Sequence, residues 1–159
     1  MGRGRESLTE KEKQDFYNFC IYTVEEWLNR KGIDVEFNGK GGCYYFYHEN
    51  LVVISTKQSL ETQAYCLLHE AGHFILRQED SKKWVQKPLH ECTKKFDRVA
   101  VMMEEVLAWE KAEELAKDLK LWNSVNKSRW SNYVKSQLYD YMKWGVTYKR
   151  GRKCRVRKG

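Results

Sequence analysis

One ten-residue stretch, Leu67-Leu68-His69-Glu70-Ala71-Gly72-His73-Phe74-Ile75-Leu76, constrains this chain more than any other. It carries H-E-x-x-H between apolar flanks. On a helix, His69 and His73 are four apart, so both imidazoles leave one face and can hold one zinc ion. Glu70 stands about 100° further round, aimed at a water on the metal rather than at the metal itself. Zinc lowers the pKa of such a water, and a glutamate beside it takes the proton as the oxygen attacks a carbonyl. Leu67, Leu68, Phe74, Ile75 and Leu76 make this a buried helix, so its histidines and glutamate need partners to offset their desolvation. Gly72 leaves room for something to approach between the two histidines.

Two histidines call for a third protein ligand, leaving one position open for water. A helix expected over about residues 98–121 offers Glu104, Glu105 and Glu110. Its apolar stripe runs through Val101, Met102, Ala108, Trp109, Ala112, Leu115, Ala116 and Leu119. Glu105 falls in that stripe, flanked by the small Ala108 and Ala112, which suits a buried metal. Glu104 is the alternative ligand, and Glu110 reads as surface charge.

Around this pair of helices the chain is legible in outline. Ser7-Leu8-Thr9-Glu10 resembles a capping box and opens an amphipathic helix to about Arg30. Phe16, Phe19, Cys20, Thr23 and Trp27, with Tyr17, Ile21, Val24 and Leu28 beside them, give it a broad apolar face, and Gly32 suits its C-terminal turn. From 33 to 57 the pattern alternates. Ile33 to Phe37, Cys43 to Tyr47 and Leu51 to Ser55 read as three strands parted by Asn38-Gly39, Gly41-Gly42 and His48-Glu49-Asn50, most simply an antiparallel meander. Such a sheet can offer an open edge to an extended peptide. Ser59 caps the H-E-x-x-H helix, expected to reach about Arg77. Residues 78–97, with Pro88 and His90, read as a loop bordering the cleft. A last helix over about 128–144 carries Trp130, Tyr133, Tyr139, Tyr141 and Trp144. One of these tyrosines could donate a hydrogen bond to an oxyanion, or the aromatics could stack on single-stranded nucleic acid.

Aromatic residues make up 14% of the 159, which speaks for a packed core, and the length suits one domain over residues 1–147. No apolar run is long enough to cross a membrane, and the N-terminus has no apolar segment of a secretory signal. Cys20, Cys43, Cys66, Cys92 and Cys154 form no C-x-x-C pair, so reduced thiols and a cytoplasmic setting are expected. From Lys127 onward there are eleven Lys or Arg against Asp140 alone. The basic tail at 148–159 could contact nucleic acid or an acidic protein.

LLHEAGHFIL together with Glu105-Val106-Leu107-Ala108-Trp109-Glu110-Lys111-Ala112 resembles the ImmA/IrrE-like group of zincin-type metallopeptidases with a glutamate ligand. In that group an E-x-x-A-(N/D)-x-x-A helix follows H-E-x-G-H; Glu105, Ala108 and Ala112 match, while Trp109 stands where Asn or Asp is usual. The resemblance covers roughly residues 33–120. It implies an α+β, zincin-like fold, a small antiparallel sheet on an active-site helix with several further helices. It also implies a zinc-dependent endopeptidase that cleaves a specific protein, often a regulatory DNA-binding one of a phage or mobile element. His69, His73 and Glu105 would hold zinc and Glu70 would be the general base. Two alternatives stand beside it: a DNA-associated protease resembling the SprT group, and a non-catalytic zincin-fold binding or inhibitor protein.

Overall fold

The computed structural model describes residues 8–147. Among them the chain is α+β, with four α-helices and one three-stranded mixed sheet. The order is α1 (Glu10–Asn29), β1 (Asp34–Asn38), β2 (Tyr44–Phe46), β3 (Leu51–Ser55), α2 (Leu60–Glu79), a 3-10 turn (Leu89–Glu91), α3 (Lys95–Asp118) and α4 (Lys127–Thr147). No helix among the described residues is long and apolar enough to cross a membrane.

Helix α1 starts two residues later than the expected capping box. Thr9, not Ser7, is the N-cap: Glu12 N–H donates to Thr9 Oγ1 at 3.3 Å, and the Thr9 amide donates back to the Glu12 carboxylate at 2.7 Å. Thr9-x-x-Glu12 places the acid where it can reach back; Ser7 lies outside the described residues. The buried stripe is Tyr17, Cys20, Val24 and Leu28, while Phe19 faces solvent. Gly32 takes a φ of +79°, a conformation glycine adopts without a Cβ penalty, and turns the chain into β1.

The expected antiparallel meander is not what forms. Strand β3 lies in the middle, parallel to β1 and antiparallel to β2, in the order β1-β3-β2. Leu-Val-Val-Ile-Ser is the most apolar strand, and the central place buries Val52, Ile54 and Ser55 completely. Chain-order pairing is only a tendency. Residues 39–43 need to cross two strand spacings, roughly 10 Å, which five residues span with ease.

The sheet carries α1 against β1 and α2 against β2 and β3, and α2 in turn packs between α1 and α3. The helix α2 is capped by Ser59, whose hydroxyl accepts from the Thr62 amide. Leu67 and Leu68 are wholly buried in its middle, each contributing about 1.5–3 kcal/mol by leaving water. Small residues let α2 and α3 come close. Ala108, Ala112 and Ala116 are 0% exposed, and a Cβ on Gly72 would overlap the Ala108 carbonyl oxygen. The approach that Gly72 permits is therefore that of the α3 backbone.

The segment between α2 and α3 is pinned at both ends. Trp84 donates its indole N–H to the Leu76 carbonyl at 3.2 Å and packs on Leu76 and Ala108, while Lys87 meets Asp97 at 2.6 Å.

Candidate metal centre

The Gly72–Ala108 contact sits where the polar residues of α2 and α3 meet. His69 Nε2 lies 3.0 Å from Glu105 Oε2, His73 Nε2 lies 3.1 Å from His69 Nε2, and His73 Nε2 lies 3.5 Å from Glu105 Oε1. One ligand atom from each residue falls within 4.8 Å of the others, so the group can hold a metal ion. Ligand atoms of a four-coordinate zinc with bonds of about 2.0–2.2 Å stand roughly 3.3–3.6 Å apart. One edge of the observed triangle, 3.5 Å, falls in that range, and the other two, 3.0 and 3.1 Å, fall a few tenths of an ångström short of it. Its donor set, two imidazoles and a carboxylate, also suits such an ion.

Burial sets the protonation of the group. His69 is held below its usual range by burial and by His73. Burial acts on His73 in the same direction, but Glu105 and Glu104 outweigh it and push it up to about 10. Glu105 stays well below the usual carboxylate range because the two histidines more than offset its burial. Glu70, 6% exposed, is pushed up to about 8, chiefly by burial, although the Tyr45 backbone amide donates to it. Without a cation, Glu70 is thus held protonated near neutral pH. Beside a divalent cation the local pKa logic inverts and the ionised form is favoured.

A second layer orients the first. Glu104 Oε1 lies 3.1 Å from His73 Nδ1, so it directs His73 Nε2 at the site. Arg77 grips Glu104 through Nε at 3.0 Å and Nη2 at 3.1 Å, and the Tyr47 ring covers the guanidinium at 4.1 Å. Among the described residues His69 has no such support: Trp109 stacks on its ring, with centroids 4.1 Å apart, and both His69 Nδ1 and Trp109 Nε1 are buried without a hydrogen-bond partner. Tyr141, reaching in from α4, hydrogen-bonds Glu105.

Two cavities open beside the triangle. The larger, about 460 Å³, runs past His69, Glu70 and His73 between strand β2 and the segment Val85 to Leu89. Strand β2 is an edge strand, and its Tyr44 and Phe46 are exposed. The smaller, about 240 Å³, has Cys43, Cys66, Tyr133 and Tyr141 in its wall. The Cys66 thiol donates a hydrogen bond to the Cys43 sulfur, drawing the Cys43 thiol down to about 7, and lies 3.3 Å from the Tyr133 hydroxyl.

The sequence-predicted residues thus separate cleanly. His69, Glu70, His73 and Glu105 come together; Glu104 stands behind His73 instead of at the triangle. Glu110 is exposed on the outer side of α3. His90 is exposed and absent from the cleft walls, and Cys92 is buried with its thiol 3.5 Å from the Pro88 carbonyl. Trp130 is a core residue, edge-on to Tyr65, Trp109 and Trp122, rather than part of a stacking surface. The basic tail lies outside the described residues, as does Cys154; Cys20, Cys43, Cys66 and Cys92 are free thiols. Sequence reasoning missed the Glu104–Arg77 support and the Cys43–Cys66 pair. Arg77, eight residues past His69, offered a signal for the first. Nothing in the spacing signalled the second.

Comparison with protein-family models, with curated proteins and with solved structures gives no match to this chain.

Proposed function

We propose that this chain is a zinc-dependent endopeptidase, with His69, His73 and Glu105 as the metal ligands. The observation that carries the reading is a zinc-sized triangle of ligand atoms with a buried glutamate beside it, both on the wall of a cleft bounded by an open strand edge. When bound, zinc supplies Lewis acidity, polarising a carbonyl and making water easier to deprotonate. Glu70 takes the proton from the attacking water and passes it to the leaving amine. An extended substrate pairs its backbone with the free edge of β2, beside Tyr44 and Phe46. Tyr141, half-buried and present in both cavity walls, donates its hydroxyl to the oxyanion that forms at the scissile carbonyl. The resemblance to the ImmA/IrrE-like group supports a specific protein, of the regulatory DNA-binding kind, as substrate.

Elemental analysis of wild type and His73→Ala, followed by a peptide-library cleavage assay with Glu70→Gln as control, tests this. About one zinc per wild-type chain, lost in His73→Ala, with cleavage abolished in Glu70→Gln, is the expected result. Zinc without cleavage of any peptide, or equal cleavage by Glu70→Gln, overturns the peptidase reading.

A further inference from the structure

Helix α3 is apolar on two opposite sides. Its inner side, with Val101, Glu105, Ala108 and Ala112, is buried and includes the Glu105 ligand. On its outer side Phe96, Val99, Met103 and Val106 are 88%, 53%, 51% and 42% exposed. Those four positions are spaced three, four and three apart, the repeat by which one helix presents a continuous seam to another. Met102 and Leu107 flank the seam, and with Val99, Met103 and Val106 they line a shallow apolar groove of about 340 Å³. A helix apolar all round is normally buried all round. Here nothing in the chain covers the outer side among the described residues.

We propose that this face joins two copies of the chain through antiparallel, isologous packing of α3 on α3. The seam is symmetric about residue 101, so a two-fold axis there sets Phe96 opposite Val106 and Val99 opposite Met103. Charge selects the direction. The N-terminal end of the seam is flanked by exposed Lys94 and Lys95, and the next seam position after Val106 is the exposed Glu110. Antiparallel packing brings Lys94 and Lys95 of each copy within about one helical turn, ~5 Å along the axis, of Glu110 on the other. Parallel packing would set lysine against lysine. Exposed Val146, beside the Gly145 that abuts Met102, extends the apolar area. The four seam residues supply roughly half of the ~800 Å² per copy that a standard interface buries. The flanking residues add to that, so the expected dimer is a weak one, in the micromolar range.

The proposal does not depend on peptidase activity, and it is tested on the full chain by analytical ultracentrifugation across roughly 1–300 µM. Wild type is expected to pass from monomer to dimer over that range. Val99→Glu/Met103→Glu should raise the dissociation constant at least tenfold, with an unchanged circular dichroism spectrum because both side chains are exposed. Lys94→Glu/Lys95→Glu and Glu110→Lys should each dimerise more weakly, and mixing them one to one should restore a heterodimer. A wild type that stays monomeric, as it would if another segment or another protein covers the face, overturns the proposal. So does a dimer indifferent to Val99→Glu/Met103→Glu, and so does failure of the charge-reversed pair to associate.

Discussion

Replacing Gly72 with alanine should break the candidate metal centre without touching any of the three residues proposed to bind the ion. The added Cβ would overlap the Ala108 carbonyl oxygen and lie 3.0 Å and 3.2 Å from the Ala108 carbonyl carbon and Cα. These are backbone atoms of a buried helix, so they cannot swing aside. Relief requires α3 to move off α2 by about 1 Å, a misplacement large enough to disable a site from a distance. Glu105 lies less than one turn from Ala108 and moves with it, whereas metal–ligand distances tolerate only about ±0.2 Å. Zinc affinity should fall about 100-fold, at the upper end of what loss of a supporting residue does. Overpacking costs up to about 3 kcal/mol. Alanine's better helix propensity returns about 1 kcal/mol. The net loss is about 2 kcal/mol, a fall of roughly 4–8 °C in Tm for a chain of this size. Competition with a chromophoric chelator reads the affinity, and thermal unfolding with and without zinc reads the stability. Gly145→Ala is the control, because its Cβ would meet only the flexible Met102 side chain, 2.8 Å from Sδ. It should leave both readouts near wild type. A Gly72→Ala protein with wild-type zinc affinity and Tm would refute the close-approach reasoning.

Three further outcomes follow from the protonation and support of the site. In metal-free protein, Glu70 keeps its proton up to about 8, whereas the unfolded chain releases it near 4.5, so the folded state binds more protons in between and stability falls as pH rises across that window. Glu70→Gln removes this term; thermal melts from pH 5 to 8 should show its advantage over wild type growing with pH, and parallel curves would count against the burial of Glu70. Glu104→Gln, which weakens the hold on His73 and on Arg77, should lower zinc affinity roughly 10–100-fold while leaving one zinc per chain at saturation, as a titration would reveal. Cys43, drawn down to about 7, should be alkylated at neutral pH far faster than Cys20, which burial raises to about 12; peptide mass spectrometry after timed iodoacetamide exposure distinguishes them.

What could be read from the sequence was what is local. The Ser59 cap, the run of H-E-x-x-H on one helix face and the helical spacing that picked Glu105 over Glu110 all depend on neighbours within a turn or two. Glu104 was harder: one residue from Glu105, it points about 100° away, and the arrival of Arg77 and His73 from α2 makes its burial tolerable. Strand partners were not legible at all, because the apolar character of β3 says that it is buried but not between which neighbours. The Cys43–Cys66 pair likewise exists only because β2 docks on α2. Trp109 was seen to stand where Asn or Asp is usual in the group the motif resembles. Its stacking on His69 gives the histidine a wall instead of a hydrogen bond, and explains why His69 Nδ1 is left alone.

The placing of β3 between its two neighbours has a consequence for how the molecule comes apart. Strands β2 and β3 are joined by a short turn and form a local hairpin on α2, whereas β1 reaches β3 only as a parallel partner on the far edge, accompanied by α1. His69, His73 and Glu105, the residues that could hold a metal ion, reside on α2 and α3. Helix α1 shares one core with α2, so β1, on the sheet edge away from β2, is the strand that can open without disturbing the triangle. Hydrogen exchange should find the amides of 34–38 opening at lower free energy than those of Leu67 to His73, with zinc raising protection in α2 and α3 more than in β1.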